Sequence, residues 1–193
     1  DIFFIQGGAT FQNTFIPANK RSLSNNISFL ISGTWGRKTH EDFETYFGKK
    51  ITNFTLNDIG FQNIEKYTNN LDEEYLYLTS NETIEGIQLR DFDLFNNKKL
   101  IIDMSSDICS YEFDWTNLSY VYAGAQKNLG IPGVTICIVK KGLVEESDQT
   151  SYLNINNHIS KNSSFNTPPT FSIYVLLKIL DWVLDAGGIN EIQ

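Results

Sequence analysis

Short apolar runs of strand length recur along the chain and alternate with segments that carry apolar residues at helical spacing. Several runs are almost continuously apolar, which is typical of strands covered on both faces of a sheet. The runs are Ile2–Ile5, Ser28–Ile31, Tyr75–Leu78, Leu100–Ile102, Tyr120–Tyr122 and Val134–Val139. This alternation predicts an α/β fold of three layers, with a mostly parallel mixed sheet between two layers of helices.

Three segments have the apolar spacing of helices: Thr10–Lys20, Arg37–Phe47 and Pro168–Ala186. The third opens with prolines and ends at Gly187 and Gly188, which suit a first turn and a C-cap. Its apolar side chains are expected on one stripe: Ile173, Leu176, Leu177, Leu180 and Leu184. The polar segment Gln149–Phe165 before it is predicted to be a long loop, which is usually functional or mobile.

Length and charge narrow the class of protein. The 193 residues predict one domain, and the net charge of −8 argues against non-specific binding to nucleic acid or anionic lipid. No apolar run reaches about 18 residues, so no membrane span is expected. The abrupt start and end suggest a fragment.

The two histidines do not predict a metal site. His40 is expected on a solvated helix face and His158 in the polar loop, and neither has a cluster of further metal ligands near it in sequence.

Residues Gln6–Thr10, with the letters QGGAT, stand between the first strand and a helix. Small residues let backbone N–H groups approach a phosphate at a helix N-terminus, where the helix dipole favours an anion. The pattern is neither a dinucleotide-binding nor a P-loop fingerprint. A tight strand-to-helix turn is the alternative interpretation.

Asp103 and Lys127 each follow an apolar strand. Ligands of open α/β sheets gather at such strand ends, although Asp103 could equally cap a turn with Ser105 and Ser106. Small residues precede Lys127, as is typical of a lysine that forms a Schiff base; a solvated surface lysine is the alternative. The pair matches enzymes of pyridoxal 5′-phosphate (PLP), in which a lysine binds the aldehyde and a carboxylate pairs with the pyridinium nitrogen.

Six segments of the chain carry a resemblance to a known family: FFIQGGATFQ, SGTW, SNETIEGI, DMSSDI, YAGAQKNLGIPGVTICIV and NTPPTF. In order and spacing they resemble the phosphoserine aminotransferases, which are fold-type I, class V PLP-dependent enzymes. The resemblance covers nearly the whole chain. It implies that residues 1–193 form the PLP-binding large domain, without the N-terminal segment and the C-terminal small domain of full-length members.

The resemblance also implies roles for individual residues. Lys127 would hold PLP and act as the catalytic base, and Asp103 would pair with the ring nitrogen. Trp35 would stack on the ring, and Thr83 would bond near its phenolic oxygen; the alternatives are a core tryptophan and a turn threonine. The phosphate contacts would be Ala9, Thr10, Gln126 and, from the neighbouring subunit, Asn166 and Thr167. Asn166 and Thr167 could also cap the helix that follows.

The activity implied by the resemblance is amino transfer between glutamate and 3-phosphohydroxypyruvate, which gives phosphoserine in serine biosynthesis. A cytoplasmic homodimer with shared sites is implied as well. The alternatives are another fold-type I aminotransferase and an inactive fragment that binds PLP or phosphate.

Overall fold

The computed structural model describes residues 1–144 and 149–192. Its strands are β1 (Ile2–Gln6), β2 (Ile27–Ile31), β3 (Thr52–Thr55), β4 (Tyr75–Thr79), β5 (Asn81–Glu82), β6 (Ile87–Gln88), β7 (Lys99–Asp103), β8 (Leu118–Gly124) and β9 (Val134–Val139). Within these described ranges, seven strands form one sheet in the order β1-β9-β8-β7-β4-β2-β3, and β5 pairs with β6 in a separate hairpin. Each predicted apolar run lies within a strand. The polar edge strand β3 carries no such run and was not predicted.

Strand direction places several loops at one edge of the sheet. Neighbouring strands from β8 through β7, β4 and β2 to β3 are parallel. The strand β9 is antiparallel to both β8 and β1, so β1 runs in the same direction as the parallel set. The carboxyl ends of β1, β2, β4, β7 and β8 therefore meet at the same edge.

Both faces of the sheet are buried, which explains the continuous apolar runs. One face packs with Phe15 and Phe43 on two helices, and the other packs with Ile64 and Leu176 on two others. The helices are α1 (Gln12–Asn19), α2 (Thr34–Phe47), α3 (Leu56–Ile59), α4 (Ile64–Thr68), α5 (Ile155–Ser160), α6 (Thr170–Asp185) and α7 (Ile189–Ile192). The α/β fold class, with helices on both faces of a mostly parallel mixed sheet, is confirmed.

The predicted apolar stripe on α6 is confirmed for Ile173, Leu176 and Leu180, which pack in or against the core, and is wrong for Leu177 and Leu184. Leu176 is buried, but Leu177 and Leu184 are 50% and 74% exposed. A helix turns by about 100° per residue, so Leu177 leaves the face that Leu176 presents to the core. The helix does end as predicted, because Gly187 and Gly188 follow it with positive φ angles.

The segment 149–165 is not the structureless loop predicted from its polarity. It contains a short 3-10 helix, Ser151–Leu153, and the helix α5. His158 on α5 is buried rather than in a loop, with its Nε2 2.7 Å from the Tyr152 carbonyl oxygen and its ring against Phe3 and Phe15. Long-range aromatic packing, which the local polarity does not reveal, orders this segment.

His40 is also buried, contrary to the expectation of a solvated helix face. Its Nε2 lies 3.1 Å from the carbonyl oxygen of Ile51, and its ring packs edge-on against Phe29. Among the described helices, none has the length and apolar character required to cross a lipid bilayer.

Candidate functional site

A cavity of about 230 Å³ opens at the carboxyl edge of the sheet. Residues at or after the ends of β1, β2, β4, β7 and β8 line it: Gly8, Ala9, Thr10, Asn13, Trp35, Lys38, Thr39, Thr79, Asn81, Asp103, Ser105, Ser106, Gln126 and Lys127. Six of the predicted site residues are therefore brought together from the ends of four strands and the segments that follow them.

Asp103 ends β7 and lies on the cavity wall. Its Oδ1 accepts hydrogen bonds from the Ser105 backbone N–H, at 2.8 Å, and from the Ser105 hydroxyl, at 2.6 Å. Burial raises the pKa of Asp103, while the hydrogen bonds from Ser105 and the charge of Lys127 oppose that rise. Asp103 therefore also caps a turn through Ser105, as the alternative interpretation predicted. The Ser106 hydroxyl takes no part in this cap and donates to the carbonyl of Asn81 instead.

Two buried tyrosines support the wall around Asp103. Tyr122 is the partner of Asp103 in the register between β7 and β8. The hydroxyls of Tyr122 and Tyr77 lie 2.9 Å apart, and the Tyr77 hydroxyl lies 3.2 Å from Thr39 Oγ1. Burial raises the pKa of both tyrosines, so they remain neutral hydrogen-bonding groups.

Lys127 lies at the exposed rim of the cavity, after a strand in which residues 118–124 are all buried. Its Nζ is 3.3 Å from Thr83 Oγ1 and 5.8 Å from the centre of the Trp35 ring. The Trp35 indole N–H donates to the same Thr83 oxygen at 3.3 Å. Thr83 is therefore the shared partner of the predicted lysine and the predicted stacking residue.

The position of Trp35 depends on two glutamates that sequence reasoning missed. Helix α2 begins at Thr34, three residues before the predicted start, and Trp35 lies in its first turn. Glu82 accepts from the backbone N–H groups of Trp35, at 2.9 Å, and Gly36, at 2.7 Å, and Glu85 accepts from the N–H of Thr34. Carboxylates favour a helix N-terminus, and these come from a hairpin distant in sequence, where no local pattern signals them.

Gly33, which precedes α2, leaves the space that these carboxylates occupy. A Cβ added at Gly33 would lie 2.4 Å from Glu85 Oε2 and 2.8 Å from the Glu82 carboxyl carbon. Any larger residue at this position would therefore displace one of the two caps.

The glycine-rich segment after β1 forms the opposite wall. Gly7 has a φ of +118°, and its N–H donates to the carbonyl of Gly133. A 3-10 turn, Ala9–Phe11, leads into α1, and no side chain caps its start. The first N–H groups of a helix have no partner within it, and Ala9 and Thr10, at this start, both line the cavity. The alternative tight turn is present as well.

Gln126 completes this wall from the loop after β8. Its side-chain amide lies over Gly124, where an added Cβ would meet Gln126 Oε1 at 2.5 Å. A side chain at Gly124 would collide with the Gln126 amide. Glycine at this position therefore leaves room for Gln126, which lines the cavity.

Asn166 and Thr167 are not brought to this cavity. Both are exposed and lie in a separate surface groove with Gln6, Tyr152 and Pro169. They do not cap α6 either, because Pro169 occupies the N-cap position and no side chain bonds to the helix start. The capping alternative is therefore wrong.

Thr79 is a cavity residue that sequence reasoning did not identify. It ends β4, is 4% exposed, and pairs in register with Asp103. A hydrogen bond between its side chain and Tyr77 partly offsets the rise that burial causes in the Tyr77 pKa. A polar residue at the end of an apolar strand is the only local signal for it.

The family model described as Aminotransferase class-V matches residues 1–193. The chain belongs to the class-V aminotransferase family. This class-V aminotransferase chain is 38% identical over 198 positions to the phosphoserine aminotransferase of Lysinibacillus sphaericus, an alignment that covers 100% of the chain and 54% of that relative. It spans about half the length of the curated relatives it matches.

Solved structures agree with the class-V aminotransferase assignment. The phosphoserine aminotransferase of Bacillus circulans subsp. alkalophilus aligns with a TM-score of 0.88 and 36% identity, over 100% of this chain and 55% of that one. The PLP-bound phosphoserine aminotransferase of Trichomonas vaginalis aligns with a TM-score of 0.80 and 30% identity, over 98% of this chain and 58% of that one.

Proposed function

We propose that this chain forms the PLP-binding large domain of a transaminase that moves an amino group between glutamate and 3-phosphohydroxypyruvate, giving phosphoserine. The observation that carries the proposal is the meeting of Lys127, Asp103 and Trp35 around one cavity. The relatives named phosphoserine aminotransferase support the choice of substrates over those of other fold-type I transaminases.

The chemistry of the cavity fits PLP. An uncapped helix start at Ala9 and Thr10 suits a phosphate, and the partly exposed carboxylate of Asp103 suits a protonated ring nitrogen. The Trp35 ring beside the Lys127 amine suits an aromatic group that is bound through that amine. When bound, PLP supplies a ring that accepts electrons from the α-carbon of the substrate.

Each residue then has a distinct task. Asp103, held by Ser105, would pair with the ring nitrogen and keep that nitrogen protonated. Lys127 would hold the cofactor by its aldehyde carbon and would move a proton at the substrate α-carbon as general base. Trp35 fixes the plane of the ring. Thr83, hydrogen-bonded to Lys127 and Trp35, orients both.

Asn166 and Thr167 belong to the proposal as residues that serve the site of a second copy of this chain. Their exposure and their distance from the cavity lining of their own chain support this role. A homodimer would then complete two shared sites.

Trapping of the cofactor tests the proposal. The purified chain is incubated with PLP, reduced with borohydride and mapped by peptide mass spectrometry, and we expect the pyridoxyl group on Lys127. Lys38→Ala is the matched control for Lys127→Ala, because Lys38 also lines the cavity but pairs with Asp42 at 3.3 Å. Labelling that survives Lys127→Ala and disappears in Lys38→Ala would overturn the assignment.

Glutamate then separates an enzyme from a binding fragment. The PLP-loaded protein should convert its cofactor to the amine form in a single turnover with glutamate, and 3-phosphohydroxypyruvate should restore it. A chain that binds PLP on Lys127 without this conversion would be a binding domain only. If glyoxylate restored the PLP form better than 3-phosphohydroxypyruvate does, the chain would be another fold-type I aminotransferase, as the alternative interpretation states.

A further inference from the structure

A chain of buried hydroxyl groups ends on the carboxylate of Asp103. The side chain of Tyr122 hydrogen-bonds to Asp103, its register partner on the neighbouring strand. The hydroxyls of Tyr122 and Tyr77 lie 2.9 Å apart, and the Tyr77 side chain also hydrogen-bonds to Thr79. The two tyrosines are 1% and 0% exposed, and neither lines the cavity. Tyr122 therefore acts on the cavity through its neighbours, and Asp103 is the neighbour that carries a charge.

The protons in this chain have one consistent direction. An ionised carboxylate only accepts hydrogen bonds, and a phenol has one proton to donate. While Asp103 is ionised, the Tyr122 proton is committed to it, so Tyr122 accepts from Tyr77 across the 2.9 Å contact. Tyr77 in turn accepts from the Thr79 hydroxyl. All three bonds then point toward the carboxylate, and bonds aligned in this way strengthen one another.

Asp103 is thus held from two elements. Ser105 bonds to it from the turn after β7, and Tyr122 bonds to it from β8. Burial disfavours the charged form of a carboxyl group, and hydrogen bonds to the charged form oppose that effect. A carboxylate that pairs with a cationic ring nitrogen has to stay ionised and in place.

We infer that Tyr122 is a positioning residue of the transaminase, whose hydroxyl, supported by Tyr77, holds the Asp103 carboxylate ionised and in place for the ring nitrogen of the cofactor. This inference rests on the proposed function and adds a residue to it.

Two other ionisable side chains act on Asp103. The charge of Lys127 favours the carboxylate, whereas Glu82, on the hairpin strand β5, and Asp103 each raise the cost of ionising the other. Both side chains are unchanged in a variant of Tyr122, so a shift in the titration of Asp103 in that variant reports the lost hydroxyl.

Tyr122→Phe keeps the ring and removes the hydroxyl. In the free protein the Asp103 titration, followed by carbon NMR of aspartate-labelled chain and assigned with Asp103→Asn, should move to higher pH. In the PLP-loaded protein the glutamate half-reaction should slow about 3- to 10-fold, and the acid limb of its rate–pH profile should move to higher pH. Tyr77→Phe should act in the same direction but less, because Tyr77 reaches Asp103 only through Tyr122.

Tyr120 supplies the matched control. It is also a buried tyrosine of β8, with its ring centre 6.3 Å from that of Tyr122, but its hydroxyl donates to Gln12 Oε1 at 2.7 Å. Tyr120→Phe should lower the melting temperature, as the loss of a buried hydrogen bond does, without moving the Asp103 titration or the rate–pH profile.

The two measurements separate this inference from the proposed function. If Tyr122→Phe moves the Asp103 titration and the acid limb no further than Tyr120→Phe does, while the wild type reacts with glutamate, the inference is overturned and the proposed function stands. Should Tyr122→Phe fail to fold, the same comparison with Tyr77→Phe decides. Absence of PLP binding by the wild-type chain would overturn both proposals.

Discussion

Ser105 donates two hydrogen bonds to one oxygen of Asp103, from its backbone N–H at 2.8 Å and from its hydroxyl at 2.6 Å. The Ser105 hydroxyl in turn accepts from the N–H of Gly124 at 3.0 Å, which links the ends of β7 and β8. Together with a hydrogen bond from Tyr122, this arrangement fixes the carboxylate on the cavity wall. The following predictions start from this geometry.

Asp103→Asn should slow the glutamate half-reaction of the PLP-loaded protein roughly 10- to 150-fold. The change removes a charge-assisted hydrogen bond of about 1.5–3 kcal/mol, so the ring nitrogen loses its proton more easily and accepts electrons less well. Loss of the absorbance of bound PLP after glutamate addition measures the rate. Asp107→Asn is the control, since Asp107 is a buried carboxyl of the same turn that does not line the cavity. A near-normal rate for Asp103→Asn would reduce Asp103 to a turn residue.

Asp103 should also make the free protein less stable as pH rises. Burial raises the pKa of Asp103 in the folded state, so the folded protein binds more protons than the unfolded chain between the unfolded pKa, about 3.9, and the folded one. Stability falls with pH in that window, and Asp103→Asn should gain stability relative to wild type as pH rises through it.

Thermal melts across pH 4 to 7 (a range of about 3 units) measure this difference. Glu85→Gln is the control of opposite sign, because hydrogen bonding to Thr34 lowers the pKa of Glu85. The Glu85 carboxylate therefore contributes stability above its unfolded pKa that is lost as pH falls. A difference between Asp103→Asn and wild type that stays constant with pH would contradict the prediction.

Glu82→Gln should destabilise the protein by about 1–2 kcal/mol and disturb Trp35. The two Glu82 oxygens accept from the N–H groups of Trp35 and Gly36, whereas a glutamine has one oxygen and would turn its NH₂ group toward a donor. Urea unfolding reports the stability, and the emission of Trp35 is measured in a background in which the other two tryptophans are replaced by phenylalanine. Glu85→Gln should destabilise the protein less and alter the Trp35 emission less, because Glu85 is exposed and bonds to Thr34 rather than to Trp35. Equal effects of the two substitutions would argue against a specific role of Glu82.

Mixing two inactive variants should restore one site in two if the sites are shared. Lys127→Ala removes the cofactor lysine, and Asn166→Ala removes a residue that lies outside the cavity lining of its own chain. A mixed dimer contains one site with both residues intact, so about half of the mixed-dimer sites should bind PLP and react with glutamate. Subunit exchange followed by a single-turnover assay measures this. Failure of mixing to restore activity, in a sample that native mass spectrometry shows to contain mixed dimers, would assign Asn166 to its own subunit.

Local sequence was sufficient for the apolar strands of the sheet and for two residues of the candidate site. Runs such as Val134–Val139 are apolar because both sheet faces are buried, and that property is readable residue by residue. Asp103 and Lys127 were identifiable because each follows such a run, at the edge where parallel strands end. Their meeting in one cavity confirms the placement that the strand order implies.

Tertiary structure alone decided which groups serve these residues. Glu82 caps α2 from a hairpin 46 and 47 residues away in sequence, and Thr79 lies at the cavity only because β4 pairs with β7 and ends beside Asp103. The histidines are buried by aromatic neighbours from distant elements, which their own polar segments do not reveal. The physical reason is common to all of them: hydrophobic periodicity encodes which side of an element is covered, but hydrogen bonding and burial depend on neighbours that only the folded chain supplies.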